Sequence, residues 1–469
     1  MRQSPWKTLL ALLFAFSMVA AACSGDEDSS ESSEETETTE AETTTTAAAA
    51  EEEEAMEEEE AMEEVDLAGT EVVITGPERS EEEAGAIQIA LDAFAEESGI
   101  SISYTGSADW ESEVNVQVDG GSPPDISYFP QPGKLADFAR DGALLPLPDE
   151  VAATVEANWS EAWSVFGNVD GTQVGIPVKN TMKSLVWYKP ALFEAKGYEI
   201  PTTFDDFVAL TGDMIGNGDT PLCVGVESGT ATGWAYTDWV EEMVLRFEGP
   251  EVYDQWVSHE IPFNDPAIVT QMQTVLDLWN TEGMVFASGG TIVSTAFGDN
   301  AVPLFDEECM MHRQASFFSG FFDPGTPFAD GSEDAIDVFY FPSNEGSPVL
   351  GSGTLAAAFA DRPEVWAVME YVSGPEYAAL RQSAQSELNG GGVSGFLSAV
   401  KGLDQSVYTP LELSILDGLA SASVVRFDAS DLMPADVGAG TFWTEGSNAI
   451  SGQITGQEAA DKIEASWPS

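Results

Sequence analysis

Residues 71–140 alternate strand-like and helix-like segments, and this pattern restricts the fold more than any other feature of the sequence. Three short apolar runs each precede a segment with helical periodicity. The pattern predicts strands at Glu71–Thr75, Ser101–Thr105 and Asp125–Phe129, and helices at Glu81–Ser98, Asp109–Val118 and Pro132–Arg140. A β-α-β-α-β order implies parallel strands, and ligands of such sheets bind beyond the carboxyl ends of the strands. Those ends are residues 76–78, 106–110 and 130–133.

A second set of elements begins near residue 174. Thr203 followed by Asp206, and Asp265 followed by Pro266, are typical helix starts. The patterns predict strands at Ser184–Tyr188, Leu222–Glu227 and Ile336–Phe341, and helices from Phe204, at Gly233–Phe247 and from Pro266 to Asn280. Further helices are predicted at Glu364–Ser373, Pro375–Gln385, Leu411–Ala420 and Gln457–Trp467. We therefore expect an α/β protein of two lobes, with several chain crossings that form a hinge beside a cleft.

The chain divides into five predicted segments. Residues 1–23 are a leader, and residues 24–66 are an acidic tether. Residues 67–180 form the N-terminal part of lobe 1, and residues 181–345 form the main part of lobe 2. Residues 346–469 are predicted to be a C-terminal helical region that both lobes and the hinge share.

The leader has the features of an export signal. Arg2 and Lys7 precede the apolar run Leu9–Ala22, which at 14 residues is too short to span a bilayer. The run ends in Val19–Cys23 (VAAAC), which resembles a bacterial lipobox, so we expect Cys23 to be lipidated. Two acyl chains on one residue suffice for stable anchoring. The alternative is ordinary signal cleavage nearby, with Cys23 incidental.

Charge separates the tether from the body of the chain. Residues 24–66 contain 20 acidic and no basic residues, which predicts a disordered, self-repelling spacer. Residues 67–469, the body of the chain, carry 62 acidic and 14 basic side chains, a net charge of −48. Such a surface repels phosphate backbones and anionic lipid headgroups, which argues against nucleic-acid and membrane-surface partners. Contact with the membrane is expected only through the lipid anchor.

Two cysteines remain in the body. Cys223 and Cys309 most simply form one disulfide in an exported protein, closing 86 residues. Two free buried thiols are the alternative. No Cys/His spacing indicates zinc, and we predict no metal site.

Catalytic patterns are weak, whereas features of a binding site are stronger. The chain has only two histidines, His259 and His312, and it lacks the common nucleophile and phosphate-loop motifs. Trp110, Trp234 and Trp443 stand near predicted element ends. Flat aromatic side chains with a few fixed polar groups suit a sugar pocket, although core packing is the alternative for each tryptophan.

Several motifs in order resemble the family 1 extracellular solute-binding proteins, the receptors of ABC-type sugar importers. They are SPPDI and FPQPG at 122–133, KSLVWY at 183–188, GTATGWAYTDW at 229–239, HRQASF at 312–317, RFDASDLMP at 426–434 and GAGTFW at 438–443. Together they are similar to the alpha-glucoside-binding branch. The resemblance implies a two-lobed, hinged fold of the maltose-binding type, with a ligand cleft between the lobes, no catalysis and no cofactor.

The resemblance also implies which residues contact the ligand. From lobe 1 these are Glu78, Asp109, Trp110, Phe129 and Gln131; the others are Lys183 at a crossing, Trp234, Asp238 and Arg313 from lobe 2, and Trp443 near the C-terminus. Trp234 and Trp443 are the expected stacking platforms. For Lys183 a strand-edge position is the alternative, and for Arg313 a structural salt bridge.

Two hypotheses follow. The first is a monomeric receptor that is tethered outside the cytoplasmic membrane, closes on an alpha-glucoside or a similar oligosaccharide, and delivers it to the transmembrane subunits of an ABC permease. The second is an exported carbohydrate-active enzyme or a surface adhesin on a similar scaffold. The absence of an identifiable nucleophile and base favours the receptor.

Overall fold

The structure, a computed structural model, describes residues 66–468. The predicted leader with Cys23, and all of the predicted tether except Asp66, lie outside the described residues. Between residues 66 and 468, no helix is both long enough and apolar enough to cross a membrane.

Strands and helices alternate through most of the chain. Residues 66–182 form β1 (Glu71–Gly76), α1 (Glu81–Ser98), β2 (Ser101–Gly106), α2 (Trp110–Asp119), β3 (Ile126–Phe129), α3 (Pro132–Arg140), α4 (Asp149–Asn158), α5 (Glu161–Ser164), β4 (Asn168–Val169), β5 (Thr172–Gln173) and β6 (Gly175–Met182). Residues 183–347 form β7 (Leu185–Tyr188), α6 (Pro190–Lys196), α7 (Phe204–Asn217), β8 (Leu222–Cys223), α8 (Trp234–Phe247), α9 (Gly249–Val257), α10 (Pro266–Asn280), β9 (Val285–Phe286), α11 (Ala301–Phe305), β10 (Met311–Arg313) and β11 (Asp337–Tyr340). Residues 348–468 form β12 (Pro348–Ala358), α12 (Pro363–Val372), α13 (Pro375–Leu388), α14 (Pro410–Ser421), β13 (Val424–Phe427), α15 (Ala429–Leu432), α16 (Trp443–Ile450) and α17 (Gly456–Glu464).

Lobe 1 is built on a six-stranded sheet with the order β13-β12-β3-β1-β2, in which β6 also pairs with β12. β1 runs parallel to β2 and to β3, which confirms the predicted β-α-β-α-β unit. β12 is antiparallel to both β3 and β6, and every one of its residues is buried. The sequence did not predict β12, because only two of its eleven residues, Val349 and Thr354, are β-branched and five are glycine or alanine.

Lobe 2 is built on a five-stranded sheet with the order β11-β7-β10-β8-β9. The predicted strand Leu222–Glu227 is wrong in extent, because β8 ends at Cys223. Beyond Cys223 the backbone N–H groups of Val226 and Glu227 donate to Ile292 and Thr295. Those acceptors lie in and just after a 3-10 turn, so the regular ladder stops although the hydrogen bonds continue.

Within residues 66–468, the chain passes between the two lobes three times. β6 and β7 belong to different sheets, so residues 182–185 form crossing 1. Crossing 2 is residues 341–348, between β11 and β12, and crossing 3 is residues 427–429, after β13. After crossing 3, α16 packs on α8 and α17 packs on α10, both in lobe 2. This is the two-lobed, hinged architecture that the sequence predicts.

A disulfide joins Cys223 to Cys309, as predicted. Cys223 ends β8, and Cys309 lies two residues before β10, the parallel neighbour of β8. The two Cα atoms are 5.5 Å apart and both side chains are buried. The bond therefore fastens two adjacent strands of lobe 2 across a loop of 86 residues.

Replacing both cysteines by serine is expected to lower the free energy of unfolding by about 4–5 kcal/mol, since the open loop regains conformational entropy in the unfolded chain. Urea titrations of the oxidised wild type and of the double variant measure the difference. Reduction of the wild type should reproduce the double variant. Equal unfolding midpoints for the two oxidised chains would contradict the expectation.

Candidate functional site

A cavity of about 330 Å³ lies between the two lobes. Its volume is in the range of small-molecule sites. Lobe 1 lines it from the ends of β1, β2 and β3, where the parallel topology predicts ligand contacts. The lining residues from these three ends are Pro77, Glu78, Arg79, Ser80, Ser107, Ala108, Pro130 and Gln131.

The wall from lobe 2 is largely aromatic. It contains Trp234, Phe297, Phe317, Phe321 and Trp443. Trp234 begins α8 directly after Gly233, whose φ of +115° favours glycine. A Cβ atom at position 233 would also overlap the carbonyl oxygen of Trp443. Glycine therefore lets α8 approach α16 closely enough for both indoles to border one cavity.

Two lining residues keep a polar atom without a hydrogen-bond partner among the described residues. They are Gln131, through Oε1, and Trp443, through the indole N–H. Both side chains are more than nine-tenths buried. Buried polar groups in native proteins are normally hydrogen-bonded. One unpaired acceptor and one unpaired donor are thus buried in the side chains that border the same cavity.

The floor of lobe 1 holds a cluster of charged residues centred on Glu78. Lys179 Nζ lies 3.6 Å from Glu78 Oε1 and 3.4 Å from Glu83 Oε1. Arg381 Nη2 lies 3.5 Å from the same oxygen, Glu78 Oε1. Burial by itself raises the pKa of Glu78, but Lys179 and Arg381 outweigh burial and leave that pKa below its usual value.

Lys183 joins the cavity to the hinge. Its ammonium group donates to Asp238 Oδ1 at 2.8 Å and also to Asp428 Oδ2, and it lies 5.4 Å from the centre of the Trp234 ring. Lys183 belongs to crossing 1 and Asp428 to crossing 3, whereas Asp238 lies on α8. The same side chain therefore borders the ligand site and ties two crossings to lobe 2.

Further charged residues on α8 complete this hinge network. Arg313 on β10 donates to Asp238 Oδ2 at 3.1 Å and to Glu242 Oε2 at 2.5 Å. Arg246 pairs with Glu242 and donates to the backbone carbonyls of crossing 2 at residues 341, 342 and 348. Glu241 accepts from the backbone N–H groups of residues 429 and 430. Each of the three crossings is thus bonded to the hinge network.

The hinge network and the neighbouring Asp431 together contain five carboxyl groups and three cations. The carboxyl groups are those of Asp238, Glu241, Glu242, Asp428 and Asp431, and the cations are Lys183, Arg246 and Arg313. Burial and neighbouring charges shift the pKa values of several of these carboxyl groups. Burial raises the pKa values of Glu241 and Asp431 well above their usual values, and the neighbouring Asp428 charge adds to this. Burial also raises the pKa of Asp238, to about 6, against the opposing effect of Lys183 and Arg313. For Asp428, Lys183 outweighs burial and lowers the pKa. Burial therefore disfavours the charged forms of Glu241 and Asp431, whereas Lys183 favours the charged form of Asp428.

Carboxylate oxygens of Asp238, Glu241 and Asp428 lie within 4.8 Å of one another, a spacing that a metal ion could bridge. Lys183 bonds two of these three carboxylates, so its ammonium already supplies the positive charge that a cation would bring. The cluster has the chemistry of an ion-paired hinge.

The structure places the predicted ligand contacts in two groups. Glu78, Gln131, Lys183, Trp234 and Trp443 border the cavity. The others, Asp109, Trp110, Phe129, Asp238 and Arg313, are not part of its lining. Ligand contact by any of the ten stays a prediction.

In the second group, Trp110 and Arg313 take the positions given above as alternatives, core packing and a structural salt bridge. The Trp110 indole N–H donates to Ser127 Oγ at 2.9 Å, and its ring meets Phe129 edge to face in the core of lobe 1. Asp238 and Arg313 lie beneath Lys183 in the hinge network, where Arg313 forms buried salt bridges. Asp109 is exposed, next to the lining residue Ala108.

Sequence reasoning missed several lining residues, among them Glu83, Glu111, Lys179, Phe317, Thr354 and Asp431. Glu83 and Glu111 lie in the first turns of α1 and α2, next to the strand ends that were identified. A rule that extends each strand end into the following helical turn would have found these two residues.

Comparison with known proteins agrees with this geometry. Residues 76–379 match the family model described as bacterial extracellular solute-binding protein. The chain is 38% identical over 400 residues to the osmoprotective compounds-binding protein GgtB of Synechocystis sp., covering 82% of this chain and 90% of the relative. It is 37% identical over 422 residues to the alpha-glucosides-binding periplasmic protein AglE of Rhizobium meliloti, covering 86% and 88%.

Solved structures resemble the fold at low sequence identity. A chitin oligosaccharide binding protein aligns with a TM-score of 0.71 at 17% identity, covering 84% of this chain and 97% of the other. Maltose-bound MalE3 of T. maritima aligns with a TM-score of 0.63 at 16% identity, covering 84% and 98%. The family model spans more than half of the chain, and two relatives exceed 30% identity over more than two thirds of it. The chain therefore belongs to the bacterial extracellular solute-binding protein family.

Proposed function

We propose that the chain is the receptor of an ABC-type importer and that it binds a neutral alpha-glucoside or a similar oligosaccharide in the cavity between its lobes. The observation that carries this proposal is the pairing of an aromatic wall from lobe 2 with a polar wall from lobe 1 around one cavity. Sugar rings have apolar faces and a rim of hydroxyl groups, which match these two kinds of wall.

The two buried lysines of the cavity lining support a neutral ligand, and Arg79, the third cation of the lining, is exposed and acts on the nearby Glu111 charge. Lys179 and Lys183 are each paired with two carboxylates, so neither ammonium is left to hold an anion. Burial raises the pKa values of Glu111 and Asp431, which favours their neutral, hydrogen-bonding form. A ligand without net charge gains hydrogen bonds here without disturbing an ion pair.

The names of the relatives point in the same direction. One is named for alpha-glucosides and the other for osmoprotective compounds. Sugar contacts on both lobes would stabilise the closed state over the open state, and the closed receptor would then be recognised by the transmembrane subunits of the permease. In this proposal the sugar is released unchanged, so the protein performs no catalysis.

Localisation follows from the leader. Lipidation of Cys23 would hold a monomeric receptor outside the cytoplasmic membrane, with residues 24–66 as its spacer. The strongly acidic body would stay away from anionic lipid headgroups, and the anchor would be its only contact with the membrane.

Ligand binding is tested by a thermal-shift and calorimetric panel of trehalose, maltose, sucrose and longer alpha-glucosides. At least one sugar should raise the melting temperature, and Trp234→Ala should weaken its binding about tenfold through loss of a stacking surface. Trp366→Ala removes a tryptophan outside the cavity lining and serves as the matched control. A flat response to every sugar would reject this ligand class, and hydrolysed products after incubation would indicate an enzyme.

The protonation of Asp431 is tested by Asp431→Asn. A folded-state pKa above the unfolded value of about 3.8 means that the stability contributed by this group is complete below pH 3.8 and is lost as the pH rises through the raised pKa. The variant avoids that loss, so it should melt at a higher temperature than the wild type at pH 7.5, with the gap closing toward pH 4. Asp213→Asn, at an exposed position on α7, makes the same charge change and should show no such gap. A variant less stable than the wild type at pH 7.5 would refute the protonated state.

The anchor is tested by Cys23→Ser in the full-length chain expressed in a bacterial host. The wild type should partition with the membrane fraction and into detergent, whereas the variant should appear in the aqueous fraction. Mass spectrometry of the mature N-terminus identifies the acylated residue. Membrane partitioning by Cys23→Ser would contradict the proposed attachment.

A further inference from the structure

Lys179 of lobe 1 contacts the aromatic wall of lobe 2. It lies on β6, and its ammonium group is 5.4 Å from the centre of the Phe317 ring, which belongs to lobe 2. At the hinge end of the same wall, Lys183 occupies the same position above Trp234, also at 5.4 Å. Two of the five aromatic rings of the wall, Phe317 and Trp234, therefore already contact an ammonium group of the protein itself.

Without these lysines the cavity would resemble a cation site. An aromatic face beside carboxylates is the arrangement that recognises quaternary ammonium ligands. Phe317 has such carboxylates nearby, because the Lys179 ammonium group bonds both Glu78 and Glu83. The Lys179 side chain is almost fully buried, so its charge acts in a medium with little solvent screening.

We propose that Lys179 is a specificity-determining residue that excludes cationic ligands, such as quaternary ammonium compounds, and thereby restricts the cavity to neutral polyols. Its ammonium group occupies the cation position above Phe317 and neutralises Glu78 and Glu83. A ligand cation would have to displace it or approach it at short range, and both are unfavourable. This inference rests on the proposed function only in taking the cavity as the ligand site.

Lys179 is a better target for substitution than Lys183. Lys183 is bonded to two crossings within the hinge network, so replacing it disturbs the hinge. On loss of Lys179, Glu78 keeps Arg381 at 3.5 Å, which leaves Glu83 as the carboxylate that a new cation would meet. Lys179→Ala removes the charge and also vacates the space above Phe317.

The chain offers a closely matched control. Lys189 lies 5.0 Å from the centre of the Phe305 ring, and its ammonium group pairs with Glu307 at 2.9 Å and with Asp334 at 3.6 Å. It is as deeply buried as Lys179, but it is not part of the cavity lining. Lys189→Ala therefore removes the same contacts at a site where no ligand is expected.

The test is calorimetric titration of the purified chain with tetramethylammonium chloride and with choline chloride, against sodium chloride at equal ionic strength. The wild type, Lys179→Arg and Lys189→Ala should show no saturable binding. The dissociation constant of Lys179→Ala for tetramethylammonium should be at least about tenfold smaller than the lower bound that the titration sets for the wild type. Adding Glu83→Gln to Lys179→Ala should remove the gain, because the carboxylate is then lost.

Two outcomes would overturn the inference: saturable ammonium binding by the wild type, or no gain in a folded Lys179→Ala chain, with folding checked by circular dichroism. If Lys179→Ala does not fold, Lys179→Gln provides the same comparison, because its shorter side chain is uncharged and keeps a hydrogen bond within reach. The sugar panel is read separately. Ammonium binding by Lys179→Ala in a chain whose wild type binds no sugar would support this inference and reject the proposed ligand.

Discussion

The buried charges of α8 determine how the two lobes are joined. Asp238, Glu241, Glu242 and Arg246 form consecutive turns of one helix, and between them they reach all three crossings. Ser184 adds a further bond, since its hydroxyl donates to Glu242 and accepts from the Leu350 N–H of β12. Breaking one partner of a buried pair costs about 3–5 kcal/mol, because it leaves an uncompensated charge. Relative movement of the lobes must therefore keep these bonds and occur around them.

In the proposed function, the same network couples a ligand in the cavity to the hinge. Lys183 borders the cavity with its ammonium group above the Trp234 ring, and this group bonds both Asp238 and Asp428. A ligand against Trp234 therefore lies one side chain away from the bonds on which the lobes pivot. Its differential contact with the closed and open states is what shifts their populations. The polar wall of lobe 1 and the aromatic wall of lobe 2 border one cavity, so a ligand that contacts both walls would stabilise this arrangement of the lobes.

Sequence patterns predicted the local structure better than the site. The bounds of α1 and α3 agree with the periodicity, and Thr203 forms the predicted capping box with Asp206, because both features depend on neighbours within a few residues. The strand ends around Glu78 and Gln131 were also predictable, since parallel topology places them together. Lys179 and Thr354 were not, because β6 and β12 meet through long-range antiparallel pairing that has no local signal. Buried charged residues such as Glu242 look like surface residues in a sequence, and only the partner that neutralises them reveals their position.

Many of the basic residues of the body lie in its interior, which leaves most of the negative charge at its surface. The body has only 14 basic residues, yet six of them are buried: Lys134, Lys179, Lys183, Lys189, Arg313 and Arg381. An unpaired carboxylate destabilises the folded protein far more in the interior than at the surface. A cation therefore stabilises the fold most where it pairs with a buried carboxylate. The surface is left strongly acidic, while the hinge and the cleft approach neutrality. A receptor of this kind presents an anionic exterior to its surroundings, while the cations at its cavity and hinge are paired with buried carboxylates.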